Sequence, residues 1–171
     1  VTVRKINMRH LADALKIFKH IYNNAWEHNW GFIPFTDPEL DAMAKDLKML
    51  IADDLVLFAE IDGQPIGFAL AIPDYNLIFK SFKGNLFPFN FFKLFTQKKR
   101  INWARVMVLG LLPQYQGRGI DSVLYHELIL RARKMGIDYA EASWILEDNL
   151  PMMRAAENVL NGIPYKKYEV Y

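Results

Sequence analysis

Pro113–Ser122, "PQYQGRGIDS", is the stretch on which the fold turns. It stands between an apolar run, "VMVLGLL", and an amphipathic one, "IDSVLYHELILRARKMG". The first reads as a strand and the second as a helix over Ile120–Met135, closed by Arg131, Arg133 and Lys134 near its negative pole and Gly136 after it. A strand that turns through glycines into a helix can face an anion. The first N–H groups of a helix have no intrahelical partner, and its N-terminus carries roughly half a positive charge. Gly117 and Gly119 let the backbone fold tightly with no Cβ in the way, and Arg118 adds a cation. A plain strand-to-helix turn would explain the glycines equally well, so their spacing alone leaves both readings open.

Working outward, Val1–Ile6 reads as a strand and His10–Ala25 as an amphipathic helix carrying Leu11, Leu15, Phe18 and Ala25. A loop, "WEHNWGFIPF", leads to "TDPE", a capping box in which Thr36 caps and Glu39 reaches back, opening a helix to about Ile51. "LVLFAEI" and "QPIGFALAI" flank Asp62-Gly63, a two-residue turn of positive φ, and form a hairpin. Gly67 inside its second strand marks a bulge or a close backbone approach. "DYAEASWIL" reads as a strand, "DNLPMMRAAENVL" as the start of a helix, and "PYKKYEVY" as a last strand.

The chain's 171 residues suit one domain able to bury a full core. Hydrophobic residues make up 52% and charged residues 23%, which excludes a disordered chain. A net charge of +2 gives no ground to expect nucleic acid. With no cysteine, disulfides and thiolate metal sites are excluded, which fits a cytoplasmic location. No apolar run approaches the roughly 18 residues of a membrane span, and no signal peptide is visible. The start at Val1, directly in a strand, reads as a fragment of a longer chain or as the product of N-terminal processing.

Gln114-x-x-Gly117-x-Gly119, after an apolar strand and before an amphipathic helix, resembles the coenzyme A signature of the GCN5-related N-acetyltransferase (GNAT) superfamily. The order of elements agrees over nearly the whole chain, and Asn149 resembles the asparagine that often follows the fifth strand there. The resemblance implies an α/β (α+β) fold with a mixed, mostly antiparallel central sheet, a splay between strands four and five, and helices on both faces. It implies one acyl-CoA N-acyltransferase-like domain over 1–171, possessed of an insertion at 75–100 and suited to the C-terminal part of a longer bacterial protein. Acetyl-CoA would be the co-substrate, with no metal. The pantetheine would lie between Leu109–Leu111 and Ser143–Ile145, facing Asn149. Backbone N–H groups of Tyr115, Gln116, Gly117, Arg118, Gly119 and Ile120 would hold the pyrophosphate, and Ser122 would add a hydroxyl. An acyl group would pass directly, in a ternary complex, to an amine on a small molecule or peptide. A second domain or a homodimer is a conceivable partner. A non-catalytic acyl-CoA-binding or interaction domain of a tandem protein is the rival reading, and a peptidyl transferase using aminoacyl-tRNA a weaker one.

Three departures bear on this. Asp121 stands where family members commonly have glycine; a first-turn carboxylate that favours the helix N-terminus and turns from the ligand is the simpler account, a substrate-facing acid the other. The tyrosine often found seven residues after the asparagine would fall at Ala156, and the chain stops about one strand short of the full pattern. The candidate catalytic carboxylates are Glu147, just past the fifth strand, and Glu27, in the loop between the first two helices; each reads also as a solvated acid. Glu60 and Glu141 read as solvent-side strand residues, and His28 has no partner at metal-ligand spacing. Trp26, Trp30 and Trp144 suit either an acceptor pocket or the core.

The insertion 75–100 holds seven of the twelve phenylalanines and reads as two short helical pieces broken near Gly84 and Pro88. With Lys80, Lys83, Lys93, Lys98, Lys99 and Arg100 it admits packing over the core, the simplest reading, or a lid over an acceptor pocket. It also admits docking on another domain or on an anionic membrane surface.

Overall fold

The computed structural model describes residues 1–27, 29, 31–82 and 96–169, with Asp46 and Leu47 described by backbone alone. Among these, five strands form one sheet in chain order: β1 (Thr2–Lys5), β2 (Val56–Ile61), β3 (Gln64–Pro73), β4 (Trp103–Leu111) and β5 (Tyr139–Ala142). The first three junctions are antiparallel and β4–β5 is parallel. The helices are α1 (Leu11–Ala25), α2 (Asp37–Leu47), α3 (Asn76–Phe79), α4 (Ile120–Lys134) and α5 (Leu150–Arg154). The mixed sheet with helices on both faces is the architecture expected from the sequence. No described helix is long and apolar enough to cross a membrane.

Strand alternation explains the two cores. Leu57, Ala59, Ala69, Ala104 and Leu111 point to the face covered by α4, where Ile120, Leu124 and Leu128 meet them. Phe58, Phe68 and Leu70 point to the other face, under Ala14 and Ile21 of α1. The capping box of α2 is formed, with both Thr36 N–H and Thr36 Oγ1 donating to Glu39 Oε2, which holds that carboxyl below its usual range. Asp62 and Gly63 take φ of 51° and 75°, so the hairpin turn is of the expected kind.

Two bulges shape the far end of the sheet. Ala59 pairs with Gly67 but Glu60 with Pro65, so Ile66 is the extra residue in β3. Leu70 pairs with Val108 but Ala71 with Val106, so Met107 is the extra residue in β4. Gly67 is also a close approach: a Cβ there would collide with Leu111 Cδ2 and the Gly110 carbonyl oxygen.

Residues Val1–Glu141 and Ala142–Tyr171 are two compact units. In the second, α5 passes into a π-helical turn, Ala155–Val159, closed by Leu160 N–H on the Ala155 carbonyl at 3.1 Å. Three expected boundaries change. The strand expected to reach Leu146 ends at Ala142, and no strand forms over Pro164 to Glu169 of the one expected in "PYKKYEVY"; Val170 and Tyr171 lie outside the described residues. A strand exists through its ladder, and local β-propensity does not say whether a partner is in reach; Pro164 also removes a donor. The helix expected to reach Ile51 stops at Leu47, because Leu50 and Ile51 pack into two different clusters. In the insertion, α3 continues as a 3₁₀ turn, Lys80–Phe82, and a second 3₁₀ turn spans Lys98–Arg100; Gly84 and Pro88 lie outside the described residues.

Candidate active site

The first half of the motif loop is tied to the sheet twice. Leu112 N–H donates to the carbonyl of the bulged Ile66 at 2.9 Å, fixing the chain as it leaves β4. A 3₁₀ turn over Pro113–Tyr115 follows, in which Tyr115 N–H donates to the Leu112 carbonyl at 2.9 Å and Gln116 N–H to the Pro113 carbonyl at 3.2 Å. These two N–H groups are therefore spent within the turn. They are not available to a ligand, which corrects the expectation that the cradle begins at Tyr115. Gln116 acts instead through its side chain: Nε2 donates to the Leu111 carbonyl at 3.0 Å, closing the loop onto the last residue of β4. Gln114, the glutamine of the recognised spacing, is exposed. The loop repeats that spacing two residues on, from Gln116 to Gly119 to Asp121.

Beyond Gln116 the backbone opens. Gly117 and Gly119 take φ of 69° and 75°, in the left-handed region that glycine adopts without strain. A Cβ on either would meet nothing within 4 Å, so their outer sides face open space. The first ladder bond of α4 runs from Val123 N–H to the Gly119 carbonyl at 3.4 Å, leaving the N–H groups of Ile120, Asp121 and Ser122 ahead of the ladder. Among the described residues, no backbone acceptor takes the N–H groups of Gly117 to Ser122. Arg118 places its guanidinium carbon 5.7 Å from the centre of the Tyr115 ring, which parks the cation beside these donors. Such a convergence of N–H groups, helix dipole and cation suits a diphosphate.

Asp121 lies in the first turn of α4, where a carboxylate is favourable. Its charge is felt one turn on: the Tyr125 hydroxyl is pushed up to about 12, first by burial and second by Asp121.

The last residues of β4 offer main chain rather than side chains. Leu109 and Leu111 pack into the core under α4. Asp138 and Tyr139 N–H groups both reach the Asn102 carbonyl, at 3.0 and 3.1 Å, so the parallel strands start level. The four residues of β5 then end well before the nine of β4 do, and β4 runs on past its neighbour.

On the opposite face Gly110 lies under Trp26, and a Cβ there would collide with the six-membered ring of the indole. Trp26 belongs to an aromatic cluster with Tyr22 (5.0 Å between centroids) and Phe68 (5.9 Å), and Tyr22 in turn meets Phe35 at 4.7 Å. Asn23 holds that side of the cluster, accepting from Phe35 N–H at 3.1 Å. Sequence reasoning missed this contact, although a glycine inside "VLGLL" is the same signal of close approach that it drew from Gly67.

The carboxylates are placed differently. Glu27, next to Trp26, is exposed. Glu147, in the second unit, is 82% exposed and takes Lys167 Nζ at 3.2 Å. Asn149 caps α5, its Oδ1 accepting from Met152 N–H at 3.3 Å. Trp144, also exposed, lies 6.0 Å from the Tyr168 ring. Glu60 and Glu141 are paired across the sheet with Arg4 and Arg105 rather than simply solvated. His28 and Trp30 lie outside the described residues.

Residues 15–160 match the model of the acetyltransferase (GNAT) family. The chain is 38% identical over its whole length to Protein YghO of Escherichia coli and 35% identical to the bacterial ceramide synthase of Caulobacter vibrioides. It covers 45% and 46% of those proteins, about half their length. Among solved structures, the aminoglycoside N-acetyltransferase AAC(6')-Iy, held with a bisubstrate analogue of coenzyme A, superposes with a TM-score of 0.62. The two are 17% identical, with 99% of this chain and 95% of that one covered, which is a likeness of fold. By its matched residues and its sheet, the chain belongs to the acetyltransferase (GNAT) family.

Proposed function

We propose that this chain is an acyl-CoA-dependent N-acyltransferase that moves an acetyl group directly from acetyl-CoA to an amine. The observation that carries the reading is the loop Gly117–Ser122, with its run of uncommitted N–H groups, two positive-φ glycines and open space above both. The diphosphate fits those donors, with Arg118 and the Ser122 hydroxyl beside them. The pantetheine arm runs along the main chain of Leu109–Leu111, where β4 continues past β5. In the transfer the amine nitrogen attacks the thioester carbonyl, the C–N bond forms, the C–S bond breaks, and the thiolate leaves. A base takes the amine's proton and a donor steadies the oxyanion. Glu147 and Glu27 are the candidate bases, and Asn149 is carried over from the family pattern as a contact to the arm.

The kinship with a ceramide synthase favours one second reading: a longer acyl group and a lipid amine. A ceramide is an amide of a long-chain amino alcohol, and the cluster of Tyr22, Trp26, Phe35 and Phe68 would suit such a chain better than a sugar. Titration calorimetry with acetyl-CoA and a long-chain acyl-CoA, paired with thiol release over polyamines, amino acids, aminoglycosides and long-chain amino alcohols, tests both. Turnover with acetyl-CoA supports the first, turnover only with the long-chain pair supports the second, and binding without turnover on any amine supports a non-catalytic domain.

A further inference from the structure

Between Tyr75 and Arg100 the sequence holds six cations and no acid. The whole chain carries +2, so the remaining 145 residues sum to −4. The positive charge is thus concentrated in one stretch. Its described flanks fold around a small core of their own, with Tyr75, Ile78 and Phe82 from one side and Ile101 from the other, all buried. Turning these inward turns their neighbours outward: Leu77 is 53% and Phe79 40% exposed, although both are apolar. The basic turn Lys98–Arg100 reaches the same small core through Lys98. Lys98 Nζ lies 6.0 Å from the centre of the Tyr75 ring, and that ring lies 6.3 Å from Phe79. Among the described residues, none of Lys80, Lys98, Lys99 and Arg100 has an acid within ion-pair distance.

We propose that the surface of these described flanks, which exposes Leu77 and Phe79 and carries Lys80, Lys98, Lys99 and Arg100, docks on a lipid bilayer that carries anionic headgroups. Side chains of the two kinds do different things at such a surface. Leu77 and Phe79 enter the boundary of headgroups and acyl chains, while the cations stay among the headgroup charges. A second copy of the chain would set cations against cations. A polynucleotide would use the cations and leave Leu77 and Phe79 facing water. A bilayer uses both. The inference stands apart from the acyl-transfer reading, since none of these residues lies in the loop or on the end of β4.

The test is co-sedimentation of the chain with vesicles of phosphatidylcholine alone and of phosphatidylcholine with phosphatidylglycerol. Binding is expected on the anionic vesicles and should weaken with added salt. Each cation contributes about fivefold, so Lys98→Gln/Lys99→Gln/Arg100→Gln together should lose on the order of 100-fold in partition. Leu77→Ser/Phe79→Ser should lose on the order of tenfold. Both variants should keep the wild-type thermal melt and coenzyme A affinity. A chain that stays in the supernatant, that binds neutral and anionic vesicles alike, or whose folded variants partition as the wild type does, overturns the proposal. Coenzyme A affinity is measured on the same samples; its loss in the wild type counts against the acyl-transfer reading, and vesicle binding is judged separately.

Discussion

In the proposed reading the loop Gly117–Ser122 and the carboxylates Glu27 and Glu147 supply the two kinds of group that acyl transfer needs, and they are built from different parts of the chain. In the loop the working groups are main-chain N–H donors, aimed by two glycine φ angles, by the Gln116 side chain on Leu111, and by Leu112 on the bulge at Ile66. The carboxylates, by contrast, are exposed side chains, one of them engaged with Lys167. A main-chain site depends on where the backbone can go, so a foreign side chain damages it by strain, volume and charge. A side-chain site depends on one functional group, and removing that group leaves the fold nearly untouched.

The largest effect should therefore come from the main-chain side. Gly117→Glu forces a side chain onto a backbone with φ of 69° and brings a carboxylate to the donors. Coenzyme A affinity measured by calorimetry should fall by about 100-fold or more while circular dichroism stays native; retained affinity in a folded protein breaks the comparison at its stronger end. On the side-chain side, Glu147→Gln should lower kcat by about 100-fold at neutral pH and leave coenzyme affinity alone. The ion pair is exposed, so the melt should hardly move. An unchanged pH–rate profile would remove Glu147 as the base and send the same test to Glu27.

Asp121 is where the two kinds of chemistry meet, a side chain in the first turn of a main-chain site. Through burial and through Asp121, the Tyr125 hydroxyl titrates at about 12 in the folded chain instead of near 10. The folded state thus holds its proton longer than the unfolded chain. Stability is whole below pH 10 and declines as pH rises toward 12, by about 2 kcal/mol. Urea unfolding across that range should show the slope in the wild type. Tyr125→Phe should remove that part of it, and Asp121→Asn should make it shallower. The smallest effect should be Gln116→Ala, which deletes one hydrogen bond to Leu111 and should cost about 1 kcal/mol of stability together with a several-fold loss of coenzyme affinity. The same change at Gln114, whose side chain has no such bond among the described residues, should do neither.

What was legible in the sequence follows the same division. Gly117, Gly119 and the Asp62-Gly63 turn announce backbone angles that few other residues adopt, and the structure has them at those angles. Gly67 announced a bulge or a close approach and sits beside both a bulge and Leu111. The donors at Tyr115 and Gln116 were misjudged because a 3₁₀ turn that starts at Pro113 consumes them, and nothing in a glycine pattern reports where the preceding carbonyls point. Gly110 under Trp26 was missed because the two residues meet only through tertiary packing. The ends of β5 and of "PYKKYEVY" were misjudged because alternation marks a segment able to pair, while pairing itself belongs to the sheet.

The central claim is that the backbone from Gly117 to Ser122 grips a diphosphate. Titration of ¹⁵N-labelled chain with coenzyme A, and in parallel with pantetheine, which lacks the diphosphate, tests it most directly. The amide signals of Gly117, Arg118, Gly119, Ile120 and Asp121 should move strongly downfield with coenzyme A and stay in place with pantetheine, while those of Tyr115 and Gln116 move little in both. Equal shifts with the two ligands, or strong shifts confined to other residues, would contradict the account.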